Sequence, residues 1–308
     1  MTDPTKLVSV IIVNWNTCRL TADCIASVYK KNLSVPLEVI VVDNNSSDDS
    51  VPWLEQNFPQ VDLIRNTTNV GFARANNQAI QKSRGDIILL LNSDTVLKTL
   101  EPLQTLAEYF AEHPETAVLG ARLLYPDGRV QSLGRHFWSL KKCMQAQLLF
   151  MSAPFWQKKH VASDPIEADY VDGAFFAIPR RIVDEVGLMD ETFFMYAEDL
   201  EWCARIRKSG YRIVVLPEIE VIHFQGASSR QNFSEMLLQS ARNTCRFIYQ
   251  HEGPLQAKAA YIVHTLGMGL RIPLSIVRKP DLVKSYWLGF RKSLAMWRNL
   301  DHLFQDGR

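Results

Sequence analysis

The feature that most constrains this chain is the run Asp86-Ile-Ile-Leu-Leu-Leu-Asn-Ser-Asp94, in which consecutive large aliphatic residues stop abruptly at three polar ones. A run this short and wholly apolar, bounded by turn-forming residues, predicts a strand buried on both faces of a mostly parallel sheet. In open α/β sheets, ligands collect just beyond the carboxyl ends of the strands. An Asp placed there can hold a hard divalent cation, and the cation can hold a phosphate. Taken alone, Asn92-Ser93-Asp94 reads equally well as a polar turn ending a strand, since these are ordinary turn residues.

The upstream chain repeats the pattern. Leu7–Val13 (LVSVIIV), Leu37–Val42 (LEVIVV) and Val61–Ile64 read as buried strands. They alternate with helical spacing over Leu20–Tyr29, Val51–Phe58 and Phe72–Lys82, the last opened by Asn69-Val70-Gly71. This alternation predicts parallel βαβ units with right-handed crossovers. The first strand ends at Asn14-Trp15-Asn16, the second at Asp43–Asp48, and the aliphatic run at Asn92–Asp94. In a parallel sheet those three ends face one edge, which favours a binding site over three unrelated turns. No G-x-G-x-x-G follows the first strand and no G-x-x-x-x-G-K-[ST] occurs, which argues against a dinucleotide fold and a P-loop ATPase. A metal on Asp94 would be another way to hold phosphate.

Further on, Leu100–His113 reads as a helix, Ala117–Leu124 as a strand and Tyr125-Pro126-Asp127-Gly128 as a turn. Residues 136–165 show no clear period and read as a long insertion with one amphipathic piece, Leu140–Met151. Tyr170–Ile178 reads as a strand with Asp172-Gly173 inside it, where a glycine marks either the close approach of a ligand or a bulge. On a helix over residues 198–209, Asp199, Trp202, Cys203 and Ile206 share one stripe. Glu198, Glu201, Arg205 and Lys208 share another, with Glu201 and Arg205 spaced as an ion pair. Acids at a helix N-terminus complement its dipole, which accounts for Glu198 and Glu201. An inward Asp199 needs a partner or a role, because a desolvated carboxylate is costly. Tyr211–Leu216 and Glu220–Phe224 read as two more strands. The second ends at His223, the histidine best placed to be a second metal ligand.

Composition sets the outer bounds. The 308 residues, 47% hydrophobic and 22% charged, suit a soluble globular protein of one or two domains. A net charge of +1 gives no general pull toward nucleic acid. Residues 255–308 nevertheless carry nine Lys/Arg against three Asp. Two domains are therefore expected, a catalytic body over residues 1–254 and a basic amphipathic helical tail over 255–308. The tail reads as two helical segments, Leu255–Val277 and Leu282–Phe304, interrupted at Pro273 and Pro280. Its basic residues, with Trp287, Phe290 and Trp297 among them, suit peripheral contact with a membrane interface; packing on the body or a homodimer contact is the alternative. No run reaches the ~18–20 uninterrupted apolar residues of a spanning helix. Five cysteines without a C-x-x-C spacing read as reduced thiols of a cytosolic protein, and no signal-peptide pattern precedes the first strand.

Taken in order, Val8–Asn16 (VSVIIVNWN), Val41–Ser46 (VVDNNS), Asn69–Asn77 (NVGFARANN), the N-x-D at 92–94, Asp172-Gly173-Ala174, Glu198-Asp199 and His223 resemble family 2 glycosyltransferases of the GT-A fold. The likeness is closest to bacterial rhamnosyltransferase-like members. It implies an α/β fold with a mostly parallel central sheet flanked by helices. It also implies inverting, metal-dependent transfer of a sugar, rhamnose among the candidates, from a dTDP- or UDP-sugar. The acceptor would be a lipid-linked or polysaccharide glycan of the cell envelope, met at the inner face of the plasma membrane. Carried over residue by residue, Asp43 contacts the donor base, and Arg74 and Asn76 line the donor pocket with Asn14, Asn16, Asn69, Asn92 and Ser93. Asp94 holds Mg²⁺ or Mn²⁺, with His223 as the second protein ligand. Asp199 is the base, and Asp172, Gly173 and Glu198 border the acceptor. One departure matters: Asn92 stands first in what is usually D-x-D, so one carboxylate is missing and metal affinity leans on the donor's phosphates. A sugar nucleotidyltransferase and a non-catalytic nucleotide-sugar-binding scaffold are the alternative readings.

Overall fold

The computed structural model describes residues 6–150, 164–224 and 233–297. The chain divides into two compact units. The first comprises Met1–His136, Phe155–Asp190 and Asp199–Ser228; the second comprises Phe137–Pro154, Glu191–Glu198 and Ser229–Arg308.

In the first unit, β1 (Val8–Asn14), β2 (Leu37–Asp43), β3 (Asp62–Arg65) and β4 (Ile87–Asn92) form a parallel half-sheet in the order β3-β2-β1-β4. Helices α1 (Cys18–Lys31), α2 (Ser50–Asn57) and α3 (Phe72–Lys82) make the crossovers. Ile87 to Leu91 of β4 are buried throughout, as the aliphatic run requires of a strand covered on both faces. Then follow β5 (Thr95–Leu97), α4 (Pro102–Glu112), β6 (Thr116–Leu124), β7 (Val130–Ser132), α5 (Leu140–Gln147, in the second unit), β8 (Ile166–Glu167) and β9 (Phe175–Pro179). Helices α6 (Arg180–Val186) and α7 (Glu198–Lys208) and strand β10 (Arg212–His223) complete the set. The sheet continues from β4 through β9, β6 and β10 to β5. The sheet is mixed and mostly parallel: β9 lies antiparallel between β4 and β6, and β10 runs parallel to β6.

Three expectations are corrected here. Asp172-Gly173 is not inside a strand: it forms the turn that opens β9, with Phe175 N donating to Asp172 O at 3.2 Å. The two strands expected at 211–224 are one, β10, which absorbs the interruption as a register shift between Leu216 and Glu220. Pro273 does not interrupt its helix. The turn at Tyr125–Gly128 is present, closed by Gly128 N on Tyr125 O at 2.9 Å.

The second unit is helical: α5, then α8 (Phe233–Glu252), α9 (Pro254–Arg278), a 3-10 turn at Pro280–Leu282, and α10 (Val283–Met296). Leu238, Ala241 and Met268 form its apolar centre, with Leu237 and Phe290 packed against them. The expected boundary at residue 254 falls between α8 and α9, which pack together. Lys258 and Arg271 interrupt the apolar run of α9, yet Pro254–Val277 is long and apolar enough to cross a bilayer by length and composition, with 44% of its most apolar 18-residue window buried within the protein. Its exposed face carries Ile262, Leu266, Leu270, Leu274 and Val277.

Directly before α7, Tyr196 and Ala197 both adopt the left-handed region, at φ 69° each, which non-glycine residues enter at a cost. Asn243 on α8 holds this turn, its Nδ2 donating to Met195 O at 2.8 Å and Tyr196 O at 3.0 Å. Asn243 is buried, so Asn243→Ala leaves two carbonyls short of a donor. It should cost about 1–3 kcal/mol, read as a lower denaturant midpoint together with faster proteolysis within residues 191–198.

Candidate active site

The register of the sheet assembles the site. Asn14 and Asp43 are paired across β1 and β2, and Asn92 lies beside Val13 across β1 and β4. The three polar strand ends therefore stand side by side. Because β9 is antiparallel to β4, it begins at that same edge, and Asn92 N donates to Ala174 O at 3.3 Å. The parallel alignment of β10 with β6 makes it end there too, with His223 opposite Thr95.

The donor-side residues form a braced network. Asn14 Nδ2 donates to Asp43 Oδ1 at 2.7 Å and Ser46 Oγ at 3.1 Å, while its Oδ1 accepts from Thr17 and Thr21. The Asn14 side chain is thus fully buried, with its amide committed on both sides. Asp43 is also buried, its Oδ2 accepting Ser46 N at 3.0 Å. Asn16, at φ 55°, donates its N–H to Ser46 Oγ and accepts Ser47 N on Oδ1 at 2.7 Å. Asn69 Oδ1 accepts Asn44 Nδ2 at 2.9 Å and Gly71 N at 3.0 Å, which shapes the entry to α3. On that helix Asn76 is buried, bonding Phe72 O at 2.9 Å, whereas Arg74 is exposed. Asn92 and Ser93 are part-buried, and Ser93 Oγ lies 3.0 Å from Thr17 Oγ1. Thr17 thus links β1 to β4. Sequence reading missed it because a hydroxyl at a helix start has an ordinary capping explanation.

Asp94 and His223 come together: Nε2 of the ring lies 3.3 Å from Asp94 Oδ1, and both side chains are largely buried. Asp94 O also accepts Phe224 N at 2.9 Å, so the main chains are fastened as well. The distance is near the ~3.0 Å that separates adjacent ligands on an octahedral cation with bonds of ~2.1 Å. A carboxylate with an imidazole is a donor set that a divalent first-row ion can accept. Among the described residues no cluster of three or more His, Cys, Asp or Glu completes such a site.

Asp199 occupies the other side. Its Oδ2 accepts Gly173 N at 3.0 Å and its Oδ1 accepts Leu200 N at 2.8 Å. A Cβ on Gly173 would come within 3.3 Å of the Phe72 ring, a tight approach. Asp172 Oδ1 accepts Arg135 Nε at 2.6 Å, while its buried Oδ2 has no hydrogen-bond partner. Arg135, another residue the sequence reading passed over, is fixed by its backbone pairing with Tyr170. Burial, reinforced by the neighbouring Asp172 charge, pushes Asp199 up to about 6, against the opposing pull of two N–H donors and Arg135. Glu198, the first residue of α7, is buried. Glu201 pairs with Arg205 at 2.7 Å, as its spacing predicts.

Residues 9–187 match the model of Glycosyl transferase family 2, and the chain belongs to that family. The uncharacterized protein y4gI of Sinorhizobium fredii is 29% identical over 73% of this chain, which spans only 25% of that protein's length. The N-acetylglucosaminyl-diphospho-decaprenol L-rhamnosyltransferase of Mycobacterium tuberculosis is 26% identical over 71% of this chain and 76% of its own. The O-antigen chain rhamnosyltransferase RfbN of Salmonella typhimurium is 22% identical over 91% and 96%. Among solved structures, the mannosyltransferase PcManGT from Pyrobaculum calidifontis, in complex with GDP-Man and Mn²⁺, superposes with a TM-score of 0.58 at 14% identity, over 96% of this chain and 88% of that one. The fold is thus the expected GT-A type, with a helical C-terminal region.

The raised Asp199 sets a stability signature. Below its unfolded value of about 3.9 both states hold the proton. As pH rises through about 6 the folded chain must carry a desolvated charge, so the penalty is complete above that point. Asp199→Asn removes it. The stability of the variant relative to the parent, read from denaturant midpoints, should therefore be more favourable at pH 8 than at pH 4.5, by about 2 kcal/mol. A gap independent of pH would contradict the assignment.

Proposed function

We propose that this chain transfers a hexose, with rhamnose the leading candidate, from a nucleotide-diphosphate donor to a hydroxyl of a lipid-linked or polysaccharide acceptor, with inversion at the anomeric carbon. The observation that carries the reading is Asp199. It is a part-buried carboxylate with raised basicity, oriented by Gly173 N–H and Leu200 N–H, at the sheet edge where the donor-side residues converge. The rhamnosyltransferase relatives support the choice of sugar.

The roles follow from chemistry. The two N–H donors fix the Asp199 carboxylate and leave lone pairs for the incoming hydroxyl, whose proton Asp199 takes as the oxygen attacks. The new bond forms between that oxygen and the anomeric carbon while the bond from carbon to diphosphate breaks, which inverts the centre. The nucleoside diphosphate leaves with the electron pair. A positioned base of this kind contributes typically 10²–10⁴-fold. Asp94 and His223 would hold a Mg²⁺ or Mn²⁺, which supplies charge neutralisation at the leaving diphosphate. The network of Asn14, Asn16, Asp43, Asn69 and Asn76 shapes the nucleotide side together with Asn92 and Ser93, and Arg74 supplies a positive charge at its rim. Asp172, Gly173 and Glu198 border the acceptor.

Asp199→Asn should lower transfer by at least 10²-fold while nucleotide binding survives. Calorimetry with a panel of UDP-, dTDP- and GDP-sugars in the presence of Mn²⁺ separates the two effects and identifies the donor. Turnover that survives the substitution excludes Asp199 as the base.

The chain works, on this reading, in the cytoplasm at the inner face of the plasma membrane. The exposed stripe Ile262, Leu266, Leu270, Leu274 and Val277 lies against lipid, and exposed Lys279, Lys284, Arg291 and Lys292 offer charge to anionic headgroups. Co-sedimentation with vesicles containing anionic lipid should fall several-fold in Leu266→Glu/Leu270→Glu. A variant that keeps its lipid binding but loses self-association would assign the face to a homodimer.

A further inference from the structure

One buried side chain stands beside the Asp94–His223 pair. Gln131, on β7, is buried and makes two contacts with one histidine. Its Nε2 lies 3.3 Å from His223 O, and its Oε1 lies 2.7 Å from His223 Nδ1. The orientation of the amide is fixed by chemistry. A backbone carbonyl only accepts, so the Gln131 atom facing it must be the NH₂ group. The atom facing Nδ1 is therefore the amide oxygen, which also only accepts. At 2.7 Å it requires the proton on Nδ1.

A neutral ring that carries its proton on Nδ1 has a bare lone pair on Nε2. That nitrogen is the one 3.3 Å from Asp94 Oδ1. Without a proton, that nitrogen and the carboxylate are both acceptors, and a proton or a cation between them joins the pair. Neither partner can swing away easily. His223 and Thr95 are register partners at the meeting of β10 and β5, and Phe224 N is bonded to Asp94 O. The main chain thus holds Nε2 and the carboxylate face to face, and Gln131 holds the ring proton on the other nitrogen.

We propose that Gln131 is the positioning residue of this site: by accepting from Nδ1 it locks His223 in the tautomer whose Nε2 lone pair, together with Asp94, receives a divalent cation. Outer partners of this kind orient metal-binding histidines, and their loss typically weakens metal affinity 10–100-fold. An imidazole in the set also favours a transition ion such as Mn²⁺ over Mg²⁺, which takes oxygen ligands. The inference rests on the reading of Asp94 and His223 as metal ligands, and the experiment separates the two.

Selective ¹⁵N labelling of histidine, with His223→Asn to assign the resonance, reads which ring nitrogen carries the proton in the metal-free protein at pH 8.5. Titration with Mn²⁺ in the presence of UDP, followed by electron paramagnetic resonance, reads affinity. The parent should show the proton on Nδ1. Gln131→Met, nearly isosteric but unable to accept, should lose that signature and bind Mn²⁺ 10–100-fold more weakly, with cooperative unfolding retained. Gln131→Glu loses the donor to His223 O but still accepts from Nδ1, and should keep the signature. A proton on Nε2 in the parent, or undiminished Mn²⁺ affinity in Gln131→Met, overturns the role of Gln131. Failure of the parent to bind Mn²⁺ despite the Nδ1 signature overturns the metal site itself.

Discussion

The site depends on the alignment of strand ends by the backbone ladder. Asn14 faces Asp43 because β1 and β2 are in parallel register along their whole length, and Asn92 stands beside them because β4 pairs with β1 in the same sense. None of these polar residues needs to find the others on its own. Burial of the aliphatic stretches fixes the register, since a slip would draw a polar strand end in among the apolar residues and push an apolar one out past the sheet. The edge that gathers the polar termini is thus a by-product of core formation.

Much of the parallel half was legible in the sequence, for that reason. Val8–Asn14, Leu37–Asp43 and Ile87–Asn92 are uninterrupted apolar strands bounded by turn residues, and the helices between them have a clear period. The direction of β9 was not legible. FFAIP reads the same for a parallel or an antiparallel neighbour, because a strand buried on both faces carries no record of its orientation. Its reversal moved Asp172-Gly173 from an expected strand interior to a turn at the ligand edge. The helix period did identify Asp199 as the acid that shares the apolar stripe, and its bonds to Gly173 and Leu200 give that inward carboxylate its partners.

The supporting residues were harder to see. Thr17, Arg135, Gln131 and Asn243 belong to no sequence motif. Each matters through a partner far along the chain: Gln131 through His223, Arg135 through Asp172, Asn243 through the turn at Tyr196. Single-sequence patterning registers local period and composition, so residues of this kind emerge only once the chain is folded. Helix α9 differs in its linear and average character. Charges scattered along Pro254–Val277 break its apolar run in the linear sequence, yet its average character still meets the requirement for crossing a bilayer.

The reversed strand β9 also separates two tasks physically. The ladders that align β1, β2 and β4 take no residue from the chain between β7 and β9. Changes in that intervening stretch leave the pairing of β1, β2 and β4 untouched. It is tied instead to the other half of the sheet, by β8 on β10, before it re-enters at Asp172-Gly173. The two halves of the sheet can therefore diverge separately among relatives.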